Sequence, residues 1–278
     1  MRHVEQIKHW SHAPWLDQVI CDNKCMTGEF QSCDCWDFGA DANSMEFATR
    51  VLGAQRPLGV NLEHSRLENM RAAGYQTVEM NIFSIPETLR CRIVSMSHFL
   101  EHLNSEEELE RALKLAVCAA GELVYISGPL FEDDDYARSF GLKFFWGDWV
   151  DHRSRLSLNH VKAALRRLNV HQFSTSVGFP VFDSSSDSIL GLGEVPNQER
   201  FDPAKHLVKT PFVFPRPVFQ EFAIVIPLSR SCRTDCVHAA RHGTWGVMLE
   251  HLREHSSKNQ AVSSWMREFT LKMDQPSW

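Results

Sequence analysis

The 278-residue sequence predicts a doubly wound, mostly parallel, seven-stranded Rossmann-like α/β sheet with helices on both faces. Short apolar runs alternate with helical patterns from residue 33 to about 127, which is the signature of a parallel sheet covered by helices. The first run passes through a turn straight into an amphipathic helix, as when a strand hands a ligand to a helix N-terminus. Glycines then stand where helices must stop. A hydrophobic content of 43% supplies the core of one large domain, or of one domain with a small appendage. The expected organisation is a leader over 1–32, a body over 33–229 and a helical tail over 230–278, with an irregular insertion or lid at 183–214 inside the body.

Taken in order, the first strand spans 33–38 and contains Cys35-Trp36-Asp37-Phe38. The turn Gly39-Ala40-Asp41-Ala42-Asn43-Ser44 leads into a helix over 44–52. A strand at 57–62, a helix at 65–73 and a strand at 76–80 follow, then a strand at 91–97, a helix at 105–119 and a strand at 122–127. Ser65 with Glu68, and Ser105 with Glu108, have capping-box spacing; Gly53, Gly74 and Gly121 mark helix ends. Residues 131–151 are rich in acids and aromatics, among them Asp133-Asp134-Asp135, Phe144, Phe145, Trp146 and Trp149. A helix from Ser157 to Leu168 buries Val161, Ala164, Leu165 and Leu168. A strand over 170–177 and a long apolar strand over 218–228 complete the sheet, the latter antiparallel. The stretch between them is too long for an ordinary connection.

Composition also excludes classes of function. No run of eighteen apolar residues exists to cross a membrane as a helix. The start, Met1-Arg2-His3-Val4-Glu5-Gln6, lacks the apolar core of a secretory signal, so the expected compartment is the cytoplasm, with the eight cysteines as reduced thiols. A formal charge of −6 with interspersed signs offers no basic stripe to a nucleic-acid backbone. Cys21, Cys25, Cys33 and Cys35 are spaced poorly for zinc, and the pairs His238/His242 and His251/His255 read as one solvated helix face. No metal ligand is assigned.

Four segments carry a family resemblance through their order: Asp37-Phe38-Gly39-Ala40-Asp41-Ala42-Asn43, Gly59-Val60-Asn61, Met80-Asn81 and His98-Phe99-Leu100-Glu101-His102-Leu103. At these residues the chain resembles the class I S-adenosylmethionine-dependent methyltransferases, with a degenerate glycine-rich loop. The resemblance implies S-adenosyl-L-methionine as cofactor, contacted by Asp37, Gly39, Asp41, Asn43, Asn61, Leu62, Asn81, Ile82, Ser97 and His98. Asn61 falls 24 positions after Asp37, a spacing suited to a ribose contact. Its amide offers both a donor and an acceptor but no charge, which predicts weaker binding than a carboxylate gives. Asp41 and Asn43 stand where the family has glycines, and Asp and Asn tolerate left-handed backbone best among the other residues. A carboxylate at Asp41 also disfavours a dinucleotide pyrophosphate, and an NAD-dependent oxidoreductase would show three glycines here.

The implied reaction is methyl transfer to a small-molecule or glycan-type acceptor, with no nucleic acid and no membrane span. His98, His102 and His152 are the candidates for a general base, and Asp151 stands beside the last of them. The competing reading is a catalytically inactive scaffold that kept the fold.

Overall fold

The computed structural model describes residues 28–229 together with Val237, Arg241, Val247 and Met248. The leader before residue 28, most of the tail and the histidine pairs there lie outside the described residues, as do Cys21 and Cys25. The elements in chain order are β1 (Cys35–Phe38), α1 (Ala42–Arg50), β2 (Pro57–Asn61), α2 (His64–Ala72), β3 (Gln76–Glu79), β4 (Cys91–Ser97), α3 (Glu106–Ala119), β5 (Ala120–Pro129), α4 (Phe131–Arg138), β6 (Leu142–Phe144), α5 (Leu158–Arg167), β7 (Ser174–Asp183), β8 (Ile189–Gly191), β9 (Val213–Pro227) and β10 (Val247–Met248). Two 3-10 turns, Ile82–Ser84 and Leu100–His102, follow β3 and β4.

The main sheet has the order β10-β7-β9-β5-β4-β1-β2-β3. Strands β1 to β5 pair in parallel, and β9 is antiparallel to both β5 and β7. These are the seven strands expected, with the two-residue β10 added at the edge. Chain order reverses between β1 and β4, so their carboxyl ends open a crevice, the place where open α/β sheets hold ligands.

Strand periodicity explains the layering. Val94 and Met96 of β4, Val124 and Ile126 of β5, and Phe222, Ile224 and Ile226 of β9 join Trp36 and Phe38 in one core with Leu109, Leu113 and Ala116 of α3 and Val161 and Leu165 of α5. The intervening residues Cys35, Ile93, Leu123, Tyr125, Ala223 and Val225 face the other way, against Ala48 of α1. Trp36 and Phe38 are wholly buried, which by transfer alone stabilises the fold by roughly 2–3 kcal/mol each.

Helix starts were predicted unevenly. Ser105 and Ser157 cap α3 and α5, accepting from Glu108 N and His160 N. Ser65 does not cap α2: Glu63 stands at that position, and the Ser65 hydroxyl donates to its carboxylate. Helix α1 begins two residues earlier than expected, because Asp41 and Ser44 form a reciprocal capping box. Gly53 and Gly74 do take the left-handed backbone of a helix stop, at φ 73° and 87°. Gly121 does not; α3 runs directly into β5, of which Gly121 is the second residue.

The acidic and aromatic stretch after β5 holds structure that periodicity did not announce. Helix α4 and the short strand β6 form there, and β6 pairs with β8 from the stretch 183–214. Phe131, Phe144, Trp146, Ile189, Phe214 and Val218 make their shared core. Buried charge organises it. Asp134, fully buried, accepts from Arg138, from Arg155 and from the backbone of Phe144, while Asp133 accepts from Arg216 and from Phe219 N. Lys143, 2% exposed, donates to Asp148 and to the Glu194 carbonyl. This appendage stands against the carboxyl end of β5.

Candidate active site

Two adjoining cavities open at the carboxyl ends of β1, β2, β3 and β4. The first, about 410 Å³, is walled by Gly39, Asn61, Leu62, Met80, Asn81, Ile82, Phe83 and Phe99. The second, about 500 Å³, is walled by Asp41, Asn43, Ser97, Glu101, Phe145, Trp146, Trp149 and His152. Arg66, His98, His102 and Asp151 line both and form the wall between them. Of the ten residues expected at a cofactor, nine therefore reach a cavity.

Asp37 is the exception. It is fully buried beneath the loop and lines neither cavity. The Ser44 hydroxyl, itself part of the capping box, donates to its carboxylate, so Asp37 braces the turn from below rather than touching a ligand. Burial pushes its pKa up to about 7, against the opposing hydrogen bond of Ser44.

The turn itself is tight. Gly39 sits at φ 72°, and a Cβ there would lie 2.6 Å from the Phe99 ring, so only glycine fits both the backbone and the space. Asn61 at the end of β2 donates to the Ala40 carbonyl and accepts from Glu63 N, clamping the loop to the second strand. One N–H and one lone pair of its amide remain for a ligand. Asn81 accepts from Phe83 N and so starts the 3-10 turn that presents Ile82. Ser97 and Ser127 share a hydrogen bond of 3.0 Å across β4 and β5.

His98 is held in left-handed backbone at φ 49°, with its ring half-exposed between two buried carboxylates. Nδ1 lies 3.3 Å from Glu101 and Nε2 lies 2.8 Å from Glu221. Burial alone would lower the imidazole pKa; the two carboxylates override it and raise it to about 10. Both ring nitrogens face carboxylates, which favours the protonated ring and weighs against His98 as the general base. Glu221 is gripped in turn by two 2.7 Å contacts from Arg241.

His102 and His152 remain uncommitted to a carboxylate. His102 Nδ1 lies 2.8 Å from the Asp151 carbonyl. Burial lowers the His152 pKa, partly offset by Glu101, and the ring packs among Phe131, Trp146 and Trp149. Of the aromatics in this stretch, Phe144 is core, whereas Phe145, Trp146 and Trp149 face the second cavity. Sequence reasoning missed Glu63, Arg66, Glu101's pairing, Glu221 and Arg241. The Glu221 to His98 contact spans 123 positions and has no local signal.

No protein-family model matches this chain, and no curated protein does. Among solved structures it is similar to an S-adenosylmethionine-dependent methyltransferase from Archaeoglobus fulgidus, at 14% identity over 76% of this chain and 93% of the other, with a TM-score of 0.49. Another similar structure is a methyltransferase of the same kind from Thermotoga maritima, at 13% identity over 82% and 97%, with a TM-score of 0.42. A third is magnesium protoporphyrin IX methyltransferase from Synechocystis with S-adenosylhomocysteine, at 10% identity over 76% and 80%, with a TM-score of 0.40. By its own strand order and strand directions, the chain is a doubly wound Rossmann-like α/β protein with its cavities at the switch point.

Proposed function

We propose that the protein is an S-adenosyl-L-methionine-dependent methyltransferase acting on a small-molecule or glycan-type acceptor. The observation that carries this reading is the pair of cavities sharing one wall at the switch point, one lined by the loop and strand ends that the family resemblance assigns to the cofactor. The residues present fit that cofactor. Gly39 lets the backbone approach closely, Asn61 keeps a donor and a lone pair for a ribose, and Asn81 and Ile82 line the same cavity, where they would offer a polar edge and an apolar face to an adenine. When bound, the cofactor supplies a methyl carbon already activated by its sulfonium.

The chain's own task is then alignment and exclusion of water. The aromatic wall of Phe145, Trp146 and Trp149 shields the acceptor chamber, and protonated His98 fixes the partition between chambers. Where the acceptor requires a base, His102 and His152 are the candidates in the absence of a bound ion. Calorimetric titration with S-adenosylmethionine, S-adenosylhomocysteine and NAD tests the reading. The first two should bind in the micromolar range, near ~8 kcal/mol, and Asn61→Ala should weaken both.

One observation favours a second reading, an inactive scaffold. Asn61 and Asn81 both spend hydrogen bonds on their own loops. Absence of binding by all three nucleotides would select it.

A further inference from the structure

Glu101, His102 and His152 bring one potential ligand atom each to within 4.8 Å of one another, on the acceptor side of the partition. Each of the three is prepared for a ligand that protein atoms do not provide. Glu101 is 2% exposed, and its Oε1 lies near His98 Nδ1 as an ion pair but has no hydrogen-bond partner. Buried carboxylate oxygens normally have one. The Asp151 carbonyl can only accept, so the proton of His102 belongs on Nδ1 and the Nε2 lone pair is left free. In His152, Nδ1 is buried without a partner. An imidazole oriented by a carbonyl on one nitrogen and bare on the other, as His102 is, has the form that metal-binding histidines take.

We propose that Glu101, His102 and His152 form a three-ligand site for one divalent transition-metal ion. Two imidazole nitrogens and one carboxylate oxygen suit Zn²⁺, Co²⁺, Fe²⁺ or Mn²⁺ better than the all-oxygen preference of Mg²⁺ or Ca²⁺. The surroundings hold the site together. Glu101 and His102 are adjacent on one 3-10 turn, and Ser154 N donates to the Glu101 carbonyl, tying the turn to the segment that carries His152. The rings of Phe131 and Trp149, with centroids 5.8 and 5.3 Å from that of His152, supply an apolar shell.

Three protein ligands leave at least one coordination position open, and it faces the second cavity. An oxygen of the acceptor is the natural occupant, which points to a hydroxyl-bearing acceptor. That last step rests on the methyltransferase reading; ion binding does not. With the ion in place His102 and His152 act as ligands, and neither serves as the base. Sequence spacing gave no hint, because 50 positions separate His102 from His152.

The test uses the full chain, freed of metal by a chelator and without any nucleotide. Co²⁺ is titrated by visible absorption and Zn²⁺ by calorimetry. The wild type should bind one ion at the cluster, and Glu101→Gln and His152→Asn should each weaken that event by more than about a hundredfold. His64→Ala, exposed on α2, should leave it unchanged and reports binding to stray histidines. Circular dichroism confirms that the variants fold; should Glu101→Gln not fold, His102→Asn replaces it. Ion binding that persists in the cluster variants, or no binding by the wild type, overturns the site and returns His102 and His152 to the role of base. Because no nucleotide is present, failure here is distinguishable from failure to bind S-adenosylmethionine.

Discussion

The half of the molecule built from β1 to β4 and the appendage built from α4, β6 and β8 bury their interiors by opposite means. Around β1 the strands alternate apolar residues between two faces, and beneath the turn the Ser44 hydroxyl donates to Asp37, seven positions away. The appendage buries Asp133, Asp134 and Lys143, which besides near partners in Arg138 and Asp148 draw on Arg216, Arg155 and Glu194, 83, 21 and 51 positions away. The first kind of interior is specified by its neighbours along the chain; the second is completed once distant segments have met. The first cavity is walled mostly by the β1–β4 half and the second by both, so the wall of the second depends in larger part on ion pairs.

Substitutions that strike one interior and spare the other sharpen this contrast. The largest effect is expected from Asp134→Ala, which leaves Arg138 and Arg155 facing an empty buried position; a loss of about 3 kcal/mol is expected, with Arg138 and Arg155 partly exposed and so partly relieved by water. Tryptophan fluorescence, dominated locally by Trp146 and Trp149, should report loosening of the appendage before far-ultraviolet dichroism reports loss of the sheet. Simultaneous loss would show that the two halves are one cooperative unit. Next comes Gly39→Ala, where strained backbone and the Phe99 contact should cost about 2 kcal/mol and abolish detectable nucleotide binding; an unchanged titration would mean that Phe99 swings away freely.

The Asp37 carboxyl gives a test by pH. Its folded pKa, raised to about 7 from 3.8, means that the folded state retains a proton which the unfolded chain has lost. The contribution of this group should therefore be full at and below about pH 4, decline as pH rises from 4 to 7 and be gone above. Asp37→Asn should flatten that part of the melting-temperature profile, and a variant with the wild-type slope would assign the slope to another group. The smaller effect belongs to Asp41→Ala, where loss of the N-cap should cost about 1 kcal/mol by thermal melting. At the far end of the scale, Arg167→Ala, which breaks solvent-exposed pairs with Glu106 and Glu110, should leave the melting temperature unchanged.

The same contrast explains what the sequence made legible. The strands of the sheet and two of the helix caps could be read because a strand declares itself by alternation and a cap by one residue. Nine of the ten proposed cofactor residues reached a cavity because strand ends in a parallel sheet converge on the switch point whatever their side chains. Asp37 did not, since one further residue of register separates a side chain under the loop from one above it. Helix α4 was invisible for another reason: Glu132-Asp133-Asp134-Asp135 has the look of a solvated run, and Arg138, Arg155 and Arg216 make it an interior one. Glu221 likewise reads as a lone acid in an apolar strand until β9 is laid beside β5, where it meets His98.

Strand β9 has a consequence for how the protein is made. Residues 221–227 fill the gap between β5 and β7, whereas residues 213–219 run beyond β5 and enter the aromatic core of the appendage. A nascent chain about 200 residues long thus carries β5 with an open edge, an appendage core without Phe214 and Val218, and Asp133 without its arginine. Emergence of a single fifteen-residue strand closes all three at once. The long closure between β5 and β9 makes this a slow step in assembly and the interval of greatest exposure to misassociation.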